Sequence, residues 1–157
     1  MKQNSTKSLK WLTGVAGFFC LIAVVRMTTQ TLGFFFGHAV AQRAVWIDGI
    51  ELFQGSIALF RWLGGIALFG LLIAFMLNSI KGLNNGVLFP RKNISILFCA
   101  AAISFVFFFC NTNIGIVLGE RVFKIDITEI LVPAIICTFA IMYKVAVNVS
   151  EENSLTI

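Results

Sequence analysis

Residues 57–77 read Ile-Ala-Leu-Phe-Arg-Trp-Leu-Gly-Gly-Ile-Ala-Leu-Phe-Gly-Leu-Leu-Ile-Ala-Phe-Met-Leu, an apolar run broken by a single charge, Arg61, near its start. At ~1.5 Å of rise per residue, a helix of this length crosses a hydrocarbon core ~30 Å thick. Runs of similar character lie on either side of it: Leu9–Met27 before it, Ile94–Cys110 and Ile127–Val147 after it. The outer end of the third run is the loosest boundary. It falls near residue 114, or further on if Asn111-Thr112-Asn113 is bridged into Ile114–Leu118. The chain is therefore expected to fold as one integral membrane domain over 1–157, an all-α, four-helix transmembrane bundle with short loops and spans at about 9–27, 57–77, 94–114 and 127–147.

Composition points the same way. Hydrophobic residues make up 59% and charged residues 12%, against roughly 25% charged in soluble domains, and the mean hydropathy is +0.94. A soluble fold of this length leaves too much of its chain in water to hide so much apolar surface, including seventeen Phe. The surplus faces the lipid bilayer. A net charge of +5 raises the question of nucleic acid, but the Lys and Arg residues punctuate apolar runs instead of forming a stripe on one polar face. They read as topology signals, and no direct nucleic-acid contact is expected.

The N-terminal tail carries Lys2, Lys7 and Lys10, and the segment between the second and third runs carries Lys81, Arg91 and Lys92, both without acids. These segments are expected in the cytoplasm. The loop after the first run mixes Arg43 with Asp48 and Glu51, and the loop after the third mixes Glu120, Arg121, Lys124 and Asp126, as external loops do. Both termini are then cytoplasmic, and Lys144 near the inner end of the fourth run agrees. Ala39-Val40-Ala41 has the form of a signal-peptidase site but lies too far downstream of Val25, so the first run is expected to remain as an anchor.

Local signals fix some boundaries. Asp126-Ile127-Thr128-Glu129 resembles a capping box at the start of the fourth helix. Pro133 then predicts a kink, Asn84-Asn85-Gly86 a turn, and Pro90 the first turn of the third helix. Ala100-x-x-x-Ser104 and Ala134-x-x-x-Thr138 have the small-residue spacing of close helix packing within a bundle. Arg26, Arg61 and Lys144 lie near predicted surfaces, where long side chains snorkel. Arg61 is followed by Trp62, Gly64 and Gly65, which let a neighbouring helix approach, and an ion pair to Glu51 or Glu129 is expected for it.

Chemistry-bearing patterns are sparse. Cys20, Cys99, Cys110 and Cys137 stand singly in apolar runs, and His38 is the one histidine, so no metal or other cofactor is expected. No nucleophile–base set or Gly-rich phosphate loop points to an enzyme. No series of Asp, Glu or His within the spans points to a transporter. The outer segment Thr28–Ser56, with Phe34-Phe35-Phe36 and Trp46, reads as an interfacial helix or a loop resting on the bundle, with a ligand or peptide site as the alternative.

Two segments carry a family resemblance. Leu83-Asn84-Asn85-Gly86-Val87-Leu88-Phe89 followed by Asn93, and the terminal Glu151-Glu152-Asn153-Ser154-Leu155-Thr156-Ile157, together with the four runs, resemble the domain-of-unknown-function 2975 family of bacterial membrane proteins. Members typically carry Gly, then Phe and Asn, before the third span and end in acidic residues followed by Leu-Thr-Ile. Pro90, Ala146 and Ser154 depart from that pattern, where a Ser or Thr cap, a Gly and an acid are usual. The resemblance implies a bacterial cytoplasmic (inner) membrane protein acting on a small helix-turn-helix DNA-binding partner. The expected partner-binding residues are Lys81, Phe89, Arg91, Lys92, Glu151, Glu152, Leu155 and Ile157, an acidic tail with an apolar end docking a basic protein. A merely solvated end of the fourth helix is the alternative for the tail. An immunity or envelope-stress role at the outer aromatic loop is the alternative for the whole chain, and a homo-oligomer is compatible with either.

Overall fold

The computed structural model describes residues 2–37 and 44–155, with side chains over 7–8, 10–37 and 44–152. It contains α1 (Lys2–Phe36), α2 (Glu51–Asn84), α3 (Lys92–Thr112), α4 (Ile114–Val117) and α5 (Thr128–Leu155), and no strand occurs among the described residues. Four of the five helices, all but the single turn α4, are long and apolar enough to span a membrane. They pack in chain order, α1 on α2, α2 on α3 and α3 on α5, with α4 tucked against α2. α1 and α5 each have one principal long neighbour, and much of their apolar surface remains exposed for lipid.

The apolar runs locate the helix centres, but the helices extend past them. α1 continues beyond Met27 to Phe36, and α2 starts at Glu51, ahead of Ile57. Helical hydrogen bonding does not stop where hydropathy falls, so Thr28, Thr29 and Gln30 stay helical. α3 ends at Thr112, and Ile114–Val117 forms a separate turn of helix, so Asn111-Thr112-Asn113 terminates the span.

The capping box at α5 is present. Thr128 N–H donates to Asp126 Oδ1 at 3.0 Å, and Asp126 N–H donates to Glu129 Oε1 at 3.3 Å. Pro133 sits inside α5, where it can give no N–H to the carbonyl of Glu129. The turn expected at Asn84-Asn85-Gly86 is a Schellman closure: Val87 N–H reaches Gly82 O at 2.8 Å and Gly86 N–H reaches Leu83 O at 3.3 Å, with Gly86 at φ +79°. Pro90 precedes α3 instead of entering it, and its carbonyl accepts the Asn93 N–H at 3.0 Å.

Small residues divide between two roles. A Cβ on Gly64 would lie 3.3 Å from Phe107 Cβ, and one on Gly65 would collide with Met27 Sδ and Cε, so α3 and α1 both close on α2 there. Ser104 is fully buried, as the Ala100–Ser104 spacing predicts. Ala134 and Thr138 are not bundle contacts. Both are exposed and line an open groove on α5 with Ile135, Phe139 and Met142.

Arg61 does not pair with an acid. Its Nε donates to Asn111 Oδ1 at 2.9 Å, and Nη1 and Nη2 make longer contacts of 3.4 and 3.3 Å to Gln30 Oε1. The expected partners are engaged at α-helix starts: Glu51 accepts the Gly49 N–H and Glu129 completes the capping box. Neutral amides on α1 and α3 are nearer because the close approach at Gly64 and Gly65 brings those helices in.

Arg61, Asn111 and Gln30 form one polar layer across the bundle, and Ser79, Asn93 and Tyr143 form a second. Arg61 to Ser79 on α2 and Asn93 to Asn111 on α3 are both intervals of eighteen residues with no charge between. Each is ~27 Å of helix, close to the hydrocarbon thickness of a bilayer. The layers lie at the two ends of the uncharged stretches of α2 and α3. One end of the bundle, here the tail end, holds the α2–α3 turn and the end of α5. The other, the loop end, is a cap built from the far ends of α1 and α2, α4 and the segments around them.

Candidate functional site

The tail end is organised by Asn93 and Tyr143. Asn93 is fully buried, and its Nδ2 donates to Ser79 Oγ at 3.0 Å, with longer contacts of 3.3 Å to Phe75 O and Tyr143 Oη. Its Oδ1 is the only buried side-chain polar atom without a hydrogen-bond partner among the described residues. The Tyr143 hydroxyl reaches Pro90 O at 3.4 Å, and its ring meets Phe75 and Phe89 edge-on at centroid distances of 5.8 and 5.6 Å. The α2–α3 turn is thereby seated on α5.

This seating divides the residues expected to bind a partner. Arg91 Nη1 lies 3.3 Å from Glu151 Oε2, joining the turn to the tail, and both side chains are largely exposed. Beside them, Phe89 lines a groove of about 470 Å³ with Met142, Val145, Ala146, Val149 and Ser150. Lys81 and Lys92 lie elsewhere, on the rim of an open concavity of about 270 Å³ shared with Asn78, Gly82, Asn85, Val87 and Pro90, and both are exposed. Glu152 is exposed next to Glu151 on α5. The Leu155 side chain and Ile157 lie outside the described residues. One part of the charge expectation changes: Glu151 is held by Arg91, so the tail does not present a purely acidic surface.

The loop end is built differently. Gln54 is fully buried, its Oε1 accepts the Ile47 N–H at 2.9 Å, and its Nε2 donates to Val45 O at 2.9 Å and Ile116 O at 2.7 Å. Val45 N–H also reaches Val117 O at 3.0 Å, so the segment 44–47 lies along α4. Asn113 acts in the same way on the opposite strand of chain: Nδ2 donates to Lys124 O at 2.9 Å and Phe109 O at 3.0 Å, and Oδ1 accepts the Lys124 N–H at 2.9 Å. A Schellman closure at Gly119, φ +93°, turns the chain between them. The expected loop resting on the bundle is therefore found over 44–50, with Trp46 tilted against Phe35 at 5.8 Å. Arg43 and His38 lie outside the described residues.

Between these loops opens a groove of about 490 Å³ lined by Ile47, Ile50, Phe53, Ile116 and Phe123, with Asp48, Glu120 and Arg121 beside them. Gln54 carries no expectation from the sequence, and Asn113 enters there only as part of the Asn111-Thr112-Asn113 boundary, not as an amide that holds a loop. The only signal was an amide placed at the edge of an apolar helix, which is common at membrane boundaries. Among the described residues no group of three or more His, Cys, Asp or Glu side chains could hold a metal ion, and the four cysteines are free.

No protein-family model, no curated protein and no solved structure matches this chain.

Proposed function

We propose that this chain is a non-enzymatic membrane protein that binds a cytoplasmic partner at its tail end, through Phe89, Arg91 and Glu151. The observation that carries the reading is the Arg91–Glu151 contact beside the Phe89 groove, which makes one surface of the α2–α3 turn and the end of α5. An aromatic anchor in an apolar groove, rimmed by charges, is the anatomy of a protein interface. The lysine-rich flanks support a cytoplasmic location for this end. The resemblance noted above supports a bacterial inner membrane and a small helix-turn-helix DNA-binding protein as the partner. Purification of the full chain in mild detergent is expected to recover one small soluble protein. Phe89→Ala combined with deletion of 151–157 is expected to lose it. Retention of the same protein by that variant overturns the assignment.

The loop-end groove favours a second reading, an immunity or envelope-stress protein binding a lipid or peptide from outside. Its volume and apolar lining suit a small ligand. Unchanged sensitivity to membrane-active peptides in Phe53→Ala and Phe123→Ala strains removes it.

A further inference from the structure

We propose that the concavity between the end of α2 and the start of α3 binds the phosphate of an anionic phospholipid through Lys81 and Lys92. This site is separate from the Phe89–Arg91–Glu151 surface and does not depend on it. Lys81 and Lys92 both line the concavity, and neither side chain makes a hydrogen bond or ion pair among the described residues. Two cationic side chains lining one concavity, with no acid among the lining residues, give it a positive potential that attracts an anion. Asn78 and Asn85, also in the lining, add amide N–H donors. The start of α3 contributes the positive end of its helix dipole.

Depth identifies the source of the anion. Lys81 is two residues beyond Ser79, and Lys92 is adjacent to Asn93, so both stand just outside the polar layer that ends the uncharged stretches. That is the level of lipid phosphates. Leu77, Val87 and Leu88 are exposed around the same turn and offer apolar surface to the glycerol and upper acyl chains. A basic pocket between membrane helices at such a depth is the arrangement that holds anionic lipid headgroups. The shape of the concavity is fixed by backbone: a Cβ on Gly82 would come within 2.8 Å of Val87 O, so the turn folds back closely over the end of α2.

The test uses the full chain in detergent micelles supplemented with phosphatidylglycerol, phosphatidylcholine or inorganic phosphate, read by thermal unfolding and by native mass spectrometry. Phosphatidylglycerol well above its Kd is expected to raise the midpoint by about 5 °C or more and to leave bound-lipid adducts. Phosphatidylcholine and inorganic phosphate are expected to do neither. Lys81→Gln/Lys92→Gln is expected to abolish the shift while keeping the unsupplemented midpoint and the soluble partner. If that double variant fails to fold, Lys92→Gln alone and a salt titration of the wild type replace it, and both are expected to shrink the shift. Equal stabilisation by phosphatidylcholine overturns the proposal, as does a shift that survives the lysine substitutions. A response to inorganic phosphate alone overturns the lipid as the source.

Discussion

The loop end and the tail end each reverse the chain through a Schellman closure, at Gly119 and at Gly86, and they differ in what holds the neighbouring segments in place. At the loop end, the buried amides of Gln54 and Asn113 bond to the backbone of passing segments, so side chains substitute for secondary structure. At the tail end, short-range backbone bonds through Gly82, Gly86 and Val87 close the turn, and Asn93 and Tyr143 seat it from beneath, bonding to one another, to Ser79 Oγ and to the Pro90 carbonyl. The difference decides what each end has left to offer. A turn closed by backbone leaves Lys81, Arg91 and Lys92 exposed for other contacts, whereas the loop end commits its central polar side chains to structure.

The comparison breaks most readily at Gln54. Gln54→Ala leaves Ile47 N–H, Val45 O and Ile116 O without their partner, and a loss of about 3–5 kcal/mol is expected from groups stranded in that way. Chemical unfolding in detergent measures it, and a silent variant means the loop end is not held by its amides. Gly82→Ala probes the other end, where the added Cβ meets the rigid Pro90 ring and then the Val87 carbonyl. An overpacking cost of about 1–3 kcal/mol is expected, larger than for Gly65→Ala, whose first obstacle is the flexible end of Met27. Equal costs at the two glycines indicate that the α2–α3 turn is free to shift. The smallest effect belongs to Arg91→Ala. An ion pair this exposed contributes about 0–1 kcal/mol, so the unfolding midpoint is expected to stay nearly unchanged while partner recovery falls. A stability loss rivalling that of Gln54→Ala shows that the exposed Arg91–Glu151 contact holds the tail end as firmly as the buried amides hold the loop end.

What was legible in the sequence was local. The capping box at Asp126–Glu129 and the turn at Asn84–Gly86 involve residues a few positions apart, and both are present. Apolar runs likewise marked the centre of every span. Contacts across the bundle were not legible. Opposite charge makes an acid the expected partner of Arg61, but which groups reach it depends on how closely α1 and α3 approach Gly64 and Gly65. The roles of Gln54 and Asn113 are not legible for a related reason: a lone amide carries no periodic or spacing signal, and its partners are backbone groups that every residue possesses. The eight residues expected to bind a partner form two separate surfaces as far as they are described, a division set by how the Tyr143 hydroxyl and ring seat the turn.

The matched intervals on α2 and α3 also make the bundle a ruler. Two adjacent helices carry polar groups ~27 Å apart, and neither can lengthen its apolar stretch without breaking a layer that spans its neighbours. A bilayer of longer acyl chains must thin locally, or the helices must tilt, to keep Arg61 and Lys81 out of hydrocarbon, at a cost of fractions of a kcal/mol per Å. Acyl-chain length in the surrounding membrane thus becomes a quantity to which the spacing of the loop-end and tail-end surfaces responds.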